Sequence, residues 1–230
     1  MKRVLLLFVV LISAYTAKSQ SLRYLITSNE DFYKADIALN DGSTLDGYAV
    51  VPIKMTTKEI QFKKSDTSDE TEIVSDSIST ITFHLSKSDS VVFDRVHWRL
   101  LTKRSGHTYK KKIWVVRLFT NQFINVYKSS GKYYVNEDGE FIYVSQAGGA
   151  FAAFSYYLKR ENEDIVSYVA ESGYYGASVS GVEKQFRNRA ANYFQDEPEL
   201  VKRILNKDFL QEDFEVLVRA YIEHMKAKEK

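Results

Sequence analysis

Apolar and polar residues alternate with period two along most of this chain, most densely from Lys112 to Tyr143. Ile113 to Phe119 (IWVVRLF) is β-branched and aromatic, the composition of a strand. Gln122 to Lys128 alternates again, Ser129-Ser130-Gly131 supplies a turn, and Lys132 to Val135 follows. Asn136-Glu137-Asp138-Gly139 turns once more before Glu140 to Val144, and Asp-Gly is a strong hairpin signal because glycine accepts a positive φ. Successive side chains of a strand point to opposite faces. One face then reads Trp114, Val116, Leu118, Ile124, Val126, Ile142 and Val144. The other reads Phe119, Phe123, Tyr127, Tyr133, Phe141 and Tyr143. Both faces are apolar, so the pattern predicts a β-meander whose second face is covered by another part of the chain.

The flanking segments extend the picture. Ala35 to Leu39 and Thr44 to Val51 read as strands around the turn Asn40-Asp41-Gly42-Ser43, and Lys58 to Lys63, Ile73-Val74, Ile78 to His84 and Val91 to Phe93 as further short strands. Arg95 to Lys103 leads into a hairpin with Arg104 to His107 as its turn. Phe154 to Lys159 and Asp164 to Val169 form a last hairpin. Glu171 to Gly181 is a linker by composition. Helical spacing then takes over: Val182, Phe186, Ala190 and Phe194 share one stripe. Asp196 is placed to cap a helix with Pro198 in its first turn, and Leu210, Phe214, Leu217, Val218, Tyr221, Ile222 and Met225 mark a third helix over about Gln211 to Lys226. The expected fold is α+β, an antiparallel β-meander body (small barrel or sandwich) with a C-terminal three-helix cap that docks on it. The expected divisions are residues 20–94, a short-strand β region; 95–170, the meander; 171–181, the linker; and 182–230, the cap.

Residues 1–19 read as a secretory signal peptide. Lys2-Arg3 precedes the apolar run Val4 to Ala14, which is too short to span a bilayer, and Ala17-Lys18-Ser19 places small residues for cleavage before Gln20. No later run is long enough for a transmembrane helix. Three of the 32 Lys+Arg residues leave with that segment, so 29 face 30 Asp+Glu and the net charge falls from +2 to −1. That balance argues against a nucleic-acid partner. With 0 cysteines, disulfides, thiolate metal sites and a lipoprotein anchor are excluded, and the core alone holds the fold.

Candidate chemistry is sparse. His84, His97, His107 and His224 show no metal-ligand spacing and read as surface or structural groups, and no nucleophile elbow, P-loop or dinucleotide fingerprint occurs. No metal or cofactor is expected. The sharpest local feature is a basic tip: Lys103, Arg104, Lys110, Lys111 and Lys112 around His107, suited to an anionic glycan, a lipid-headgroup phosphate or an acidic protein. The acidic loop with Asp66, Asp69, Glu70 and Glu72 is an internal alternative partner for it. Tyr174-Tyr175, inside the linker, offer rigid aromatic faces for recognition.

The signal peptide, the DGSTLDG turn at Asp41 to Gly47, the β-rich body and the tail NYFQDEPELVKRI at Asn192 to Ile204 together resemble uncharacterised secreted proteins of Bacteroidetes-type bacteria. Glu197 departs from that group, in which cysteine is common at this place. The resemblance implies an exported envelope protein and carries over no catalytic residue. The expectation is therefore a periplasmic or cell-surface protein, a non-enzymatic binding or structural module whose partner is an anionic envelope component or another envelope protein. The alternative is a hydrolase of envelope polymers acting through acidic residues that the sequence does not single out.

Overall fold

The computed structural model describes residues 31–86, 90–144, 154–172 and 181–229. The signal-peptide segment and the tyrosine doublet Tyr174-Tyr175 lie outside the described residues.

The strands are β1 (Phe32–Leu39), β2 (Thr44–Val50), β3 (Glu59–Lys63), β4 (Thr71–Val74), β5 (Ile78–Phe83), β6 (Val91–Leu101), β7 (Gly106–Thr120), β8 (Asn125–Ser129), β9 (Lys132–Val135), β10 (Phe141–Val144), β11 (Phe154–Lys159) and β12 (Ile165–Ser172). The helices are α1 (Val182–Tyr193), α2 (Pro198–Leu205) and α3 (Phe214–Lys228). Ten strands form one sheet in the order β12-β11-β8-β7-β6-β5-β1-β2-β3-β4.

β6 explains the shape. One of its edges pairs with β7 from Phe93 to Leu101, with an interruption at His97. The other pairs with β5 over Val91 to Asp94 and then, past Val96, with β12 in parallel from His97 to Leu100. That parallel contact closes β6, β7, β8, β11 and β12 into a barrel, while β5, β1, β2, β3 and β4 continue as an open sheet. β6 thus runs unbroken across position 94/95 and serves both halves. Closure removes the free edges that an open sheet would expose on that side.

Three apolar cores follow. Inside the barrel every strand contributes: Val96, Trp98 and Leu100 from β6, Ile113 and Val115 from β7, Tyr127 from β8, Tyr157 from β11, Val166 and Tyr168 from β12. Outside it, Val126, Leu158, Val169 and Ala170 join Phe186, Phe194, Leu200, Ile204, Phe214, Leu217 and Tyr221 of the helical tail in one cluster, with α1 lying on β12 and β6. The third core covers the open sheet: Ile37, Ile60, Ile81, Phe83, Phe93, Trp114 and Val116 pack under Tyr133 and Val135 of β9. Ile113 to Val116 is buried on both faces, one inside the barrel and one under the open sheet's cover.

The meander is not continuous. β8 has β11, not β9, as its second neighbour, and β9 pairs only with β10 in a separate two-stranded sheet. The chain turns away at Ser129-Ser130-Gly131. There the Ser130 amide donates to the Tyr133 hydroxyl (3.1 Å) and the Ser130 hydroxyl to the Val144 carbonyl (2.5 Å). The aromatic groups of this hairpin find better burial around Phe93, which meets Phe83, Trp114, Tyr133 and Phe141 edge-on with centroids 5.2 to 6.4 Å apart, a favoured ring geometry. The open sheet's cover is therefore this hairpin, and the helices cover the barrel. The single-face alignment read from alternation fails with it: Trp114 and Val126 lie in different cores, and Leu118 and Phe119 stay 45% exposed.

Asp196 does not cap α2. The residue before Pro198 is Glu197, whose side chain makes no capping bond, and Asp196 instead accepts from Arg160 at 2.7 Å. The third helix begins at Phe214 after a single 3-10 turn at Gln211–Asp213, where Asp213 accepts from the Leu210 amide at 2.9 Å. The turn at the basic tip falls at Thr102 to Ser105, with the Thr102 amide donating to Ser105 at 2.8 Å, and β7 starts at Gly106.

Candidate functional site: a lysine-bordered cleft

The three lysines of the tip have a structural cause for standing together. Val96 pairs with Ile113 and Trp98 with Tyr109, so His97 alone faces Lys110, Lys111 and Lys112. β7 carries two residues more than β6 across this interval. The excess bulges outward, as extra residues in one strand of a pair must. It does so where β6 exchanges β5 for β12, the corner between barrel and open sheet.

Beneath the bulge lies a cleft of about 720 Å³, within the size range of small-molecule sites. Lys110, Lys111, Lys112 and Lys58 border it; Met55, Val74, Trp98, Tyr109 and Ile113 line it, together with Thr56, Glu59, Asp76 and Arg95. Its wall is fixed by backbone bonds. The Met55 carbonyl accepts from the Trp114 amide (2.8 Å), and the Ile53 carbonyl from the Tyr133 amide (2.9 Å). The indole of Trp114 donates to the Thr57 carbonyl at 3.2 Å. Arg95, buried and 5.5 Å over the Trp114 ring, grips one oxygen of Asp76 through Nε (3.0 Å) and Nη2 (2.9 Å) and donates to Met55 at 3.3 Å. Trp98 stacks flat on Tyr109 at 4.0 Å, and His107 meets Tyr109 edge-on at 4.7 Å.

The charges are unequally committed. Arg95 and Asp76 neutralise each other. No carboxylate among the described residues lies within 4.0 Å of Lys58, Lys110, Lys111 or Lys112. The acidic loop is not their partner, since Glu70 pairs with Lys63 at 3.0 Å. Lys103 and Arg104 sit on the turn beyond the cleft, whose carbonyls at Thr102 and Ser105 accept from Asn192 of α1 at 2.8 and 3.3 Å. The structure thus places Lys110 to Lys112 on the cleft and His107 against its aromatic wall. Lys103 and Arg104 stand apart, on a turn tied to the helices.

Sequence reasoning passed over Met55, Lys58, Val74, Arg95, Trp98 and Tyr109. They come from separate segments that only the sheet topology assembles. The available signal was the break in alternation at Lys110-Lys111-Lys112, three like charges inside an otherwise regular strand.

Several polar groups away from the cleft are paired internally. Asp94, buried where the open sheet meets the barrel, takes two-pronged donation from Arg117 (2.6 to 2.9 Å) and a bond from Thr80 (2.8 Å). Burial and then the negative Asp94 push the Tyr127 phenol up to about 12. Lys128 is held 4.1 Å from the rings of Tyr143 and Phe154, and burial pulls its ammonium below the ordinary lysine value. Glu197 is gripped by His224 and Lys228, each at 2.7 Å. Asp36, His84 and Ser90 form a line, with the carboxylate 2.7 Å from Nε2 and the hydroxyl 3.3 Å from Nδ1. All three are exposed, so water competes for each of these bonds. A smaller hollow of about 260 Å³ between Phe119, Tyr156 and α3 is apolar, bordered by the Glu215–Arg219 pair.

No group of three or more His, Asp or Glu among the described residues is arranged to hold a metal ion. No helix among them is long and apolar enough to cross a membrane, which says nothing of crossing by strands. Comparison with protein-family models, with curated proteins and with solved structures returns no match.

Proposed function

We propose that this chain is an exported cell-envelope protein, a non-enzymatic binding module that holds an anionic envelope component in the lysine-bordered cleft, with its three C-terminal helices acting as a cap that stiffens the barrel behind the site. The observation that carries this reading is the set of four ammonium groups, Lys58 and Lys110 to Lys112, that border the cleft with no carboxylate partner among the described residues, while Arg95 and Asp76 beside them are matched to each other. Unpaired cations on a fixed rim lose no internal partner when an anion arrives, and charge-assisted bonds to phosphate or carboxylate are the stronger kind. The N-terminal pattern of Lys2-Arg3, the apolar run and Ala17-Lys18-Ser19 supports export, as does the resemblance to secreted Bacteroidetes-type proteins. The cleft's two acids argue for binding over hydrolysis. Asp76 is tied to Arg95 and 65% exposed, and Glu59 is open to water, whereas a hydrolase of glycans needs one carboxyl kept protonated by desolvation.

The test compares capture of anionic envelope material by the wild type, by Lys110→Gln/Lys111→Gln/Lys112→Gln, and by Lys184→Gln/Lys202→Gln/Lys226→Gln, which has the same net charge. The cleft triple should lose capture at low salt and the control triple should keep it. Equal loss in both would reduce the effect to overall charge and remove the site.

A further inference from the structure

The cleft separates its chemistry in space. Its free cations lie along the β7 bulge and at Lys58, on the rim. Its lining is Met55, Val74, Ile113 and the Trp98–Tyr109 stack, which presents methyl, thioether and ring surfaces. A free sugar phosphate would need polar groups along its whole length, because every hydroxyl taken from water without a partner is unfavourable. Here the polar groups besides the lysines are Thr56, Glu59 and the closed Asp76–Arg95 pair. The lysines draw an anionic head to themselves and leave the apolar wall to the remainder of the ligand.

We infer that the cleft takes a monomeric anionic amphiphile, its phosphate on Lys110 to Lys112 and Lys58 and its alkyl chain along Met55, Val74, Ile113 and Trp98. This rests on the reading of the cleft as an anion site. It adds that apolar length, not head charge alone, selects the ligand. Each methylene that enters the wall strengthens binding about fourfold, the usual transfer gain per CH2, until the cleft is filled. The lysines fix orientation and lose strength with salt, since rim charges are screened over about 8–10 Å at physiological ionic strength.

The protein carries its own reporter. Of its two tryptophans, Trp114 is fully buried in the open sheet's core and Trp98 lines the cleft. Full-length processed protein is titrated below the micellar range with hexyl, octyl and decyl phosphate, with decanol, with inorganic phosphate and with a hexose phosphate. Calorimetry gives the affinities and tryptophan emission the location. The expected result is a steep rise from hexyl to decyl phosphate, an emission change that Trp98→Phe abolishes, and a loss of roughly tenfold in Lys110→Gln/Lys111→Gln/Lys112→Gln at low salt. Hexose phosphate or inorganic phosphate binding as tightly as decyl phosphate would keep the anion site and overturn the amphiphile. Decanol binding as tightly as decyl phosphate would overturn both, as would no binding of any phosphate.

Discussion

Phe194→Ala tests whether the helical tail and the β body are one cooperative unit. Phe194 closes α1, is fully buried, and packs edge-on against Tyr193 at 5.0 Å and tilted against Tyr221 of α3 at 4.9 Å. Its cluster also holds Val126, Leu158 and Val169 of the barrel strands. A buried phenylalanine removes about 150–250 Å² from water. At about 25 cal/mol per Å², losing most of that area costs roughly 3 kcal/mol, and the cavity left behind brings the total to about 3–5 kcal/mol. In a unit of this size that lowers Tm by on the order of 10 °C. Leu205→Ala, on α2 and 52% exposed, is the matched control, expected within about 0.5 kcal/mol of wild type. The assay is urea unfolding followed by two probes. Both tryptophans lie in the β body, Trp98 on β6 and Trp114 on β7, so their emission reports on the strands, while circular dichroism near the helical minimum also carries the signal of the three helices. One unit predicts that Phe194→Ala shifts both curves together. If the circular-dichroism curve moves and the emission curve stays where wild type has it, the helices are a separable module and the shared core is energetically unimportant.

Alkaline titration gives a second test. Burial raises the phenols of Tyr133, Tyr143 and Tyr193, and burial with Asp94 raises Tyr127 to about 12. A raised phenol contributes stability that is complete below its unfolded value of about 10 and is lost as pH climbs through the folded value. Phenolate absorbance should therefore appear in two stages, exposed tyrosines first and the buried set only as ellipticity collapses; one stage with the fold intact would refute this burial. Gly47→Ala should cost about 1–3 kcal/mol by overpacking, because a methyl there meets the Lys63 carbonyl and lies 2.7 Å from the Phe62 ring; an unchanged urea midpoint would show that β2 and β3 do not approach so closely. Protein recovered from the envelope should begin at Gln20 by mass spectrometry, and an intact Met1 would contradict export.

Alternation made the strands legible because most of them are half-buried and their turns carry Asp-Gly or Ser-Ser-Gly chemistry. Helical stripes such as Phe186, Ala190 and Phe194 were equally plain, since one face is buried and the other wet. Hairpin pairs were legible, β1 with β2, β6 with β7 and β11 with β12; pairing between strands distant in sequence was not. β6 changes partner from β5 to β12 without any local mark, because the parallel contact between His97 and Ile165 joins residues distant in sequence. The departure of β9 was hidden for a related reason: Ser129-Ser130-Gly131 signals a turn but not its destination, and Phe93 decides that through ring packing. The lysine triplet was visible as charge, yet its meaning depends on register, with one residue of β6 facing three of β7. Met55 and Val74 reach the cleft from two other segments and shared no pattern with Arg95 of β6.

The most direct test of the anion site is a lysine footprint. The protein is acetylated briefly at low salt, alone and with an anionic envelope extract, and modification is read at each lysine by mass spectrometry. Occupancy of the cleft predicts selective protection of Lys58, Lys110, Lys111 and Lys112, with Lys103 on its turn and Lys202 on α2 modified as before. Protection that is uniform across the surface, or centred on Lys103 and Arg104's turn with the cleft lysines unchanged, would contradict it.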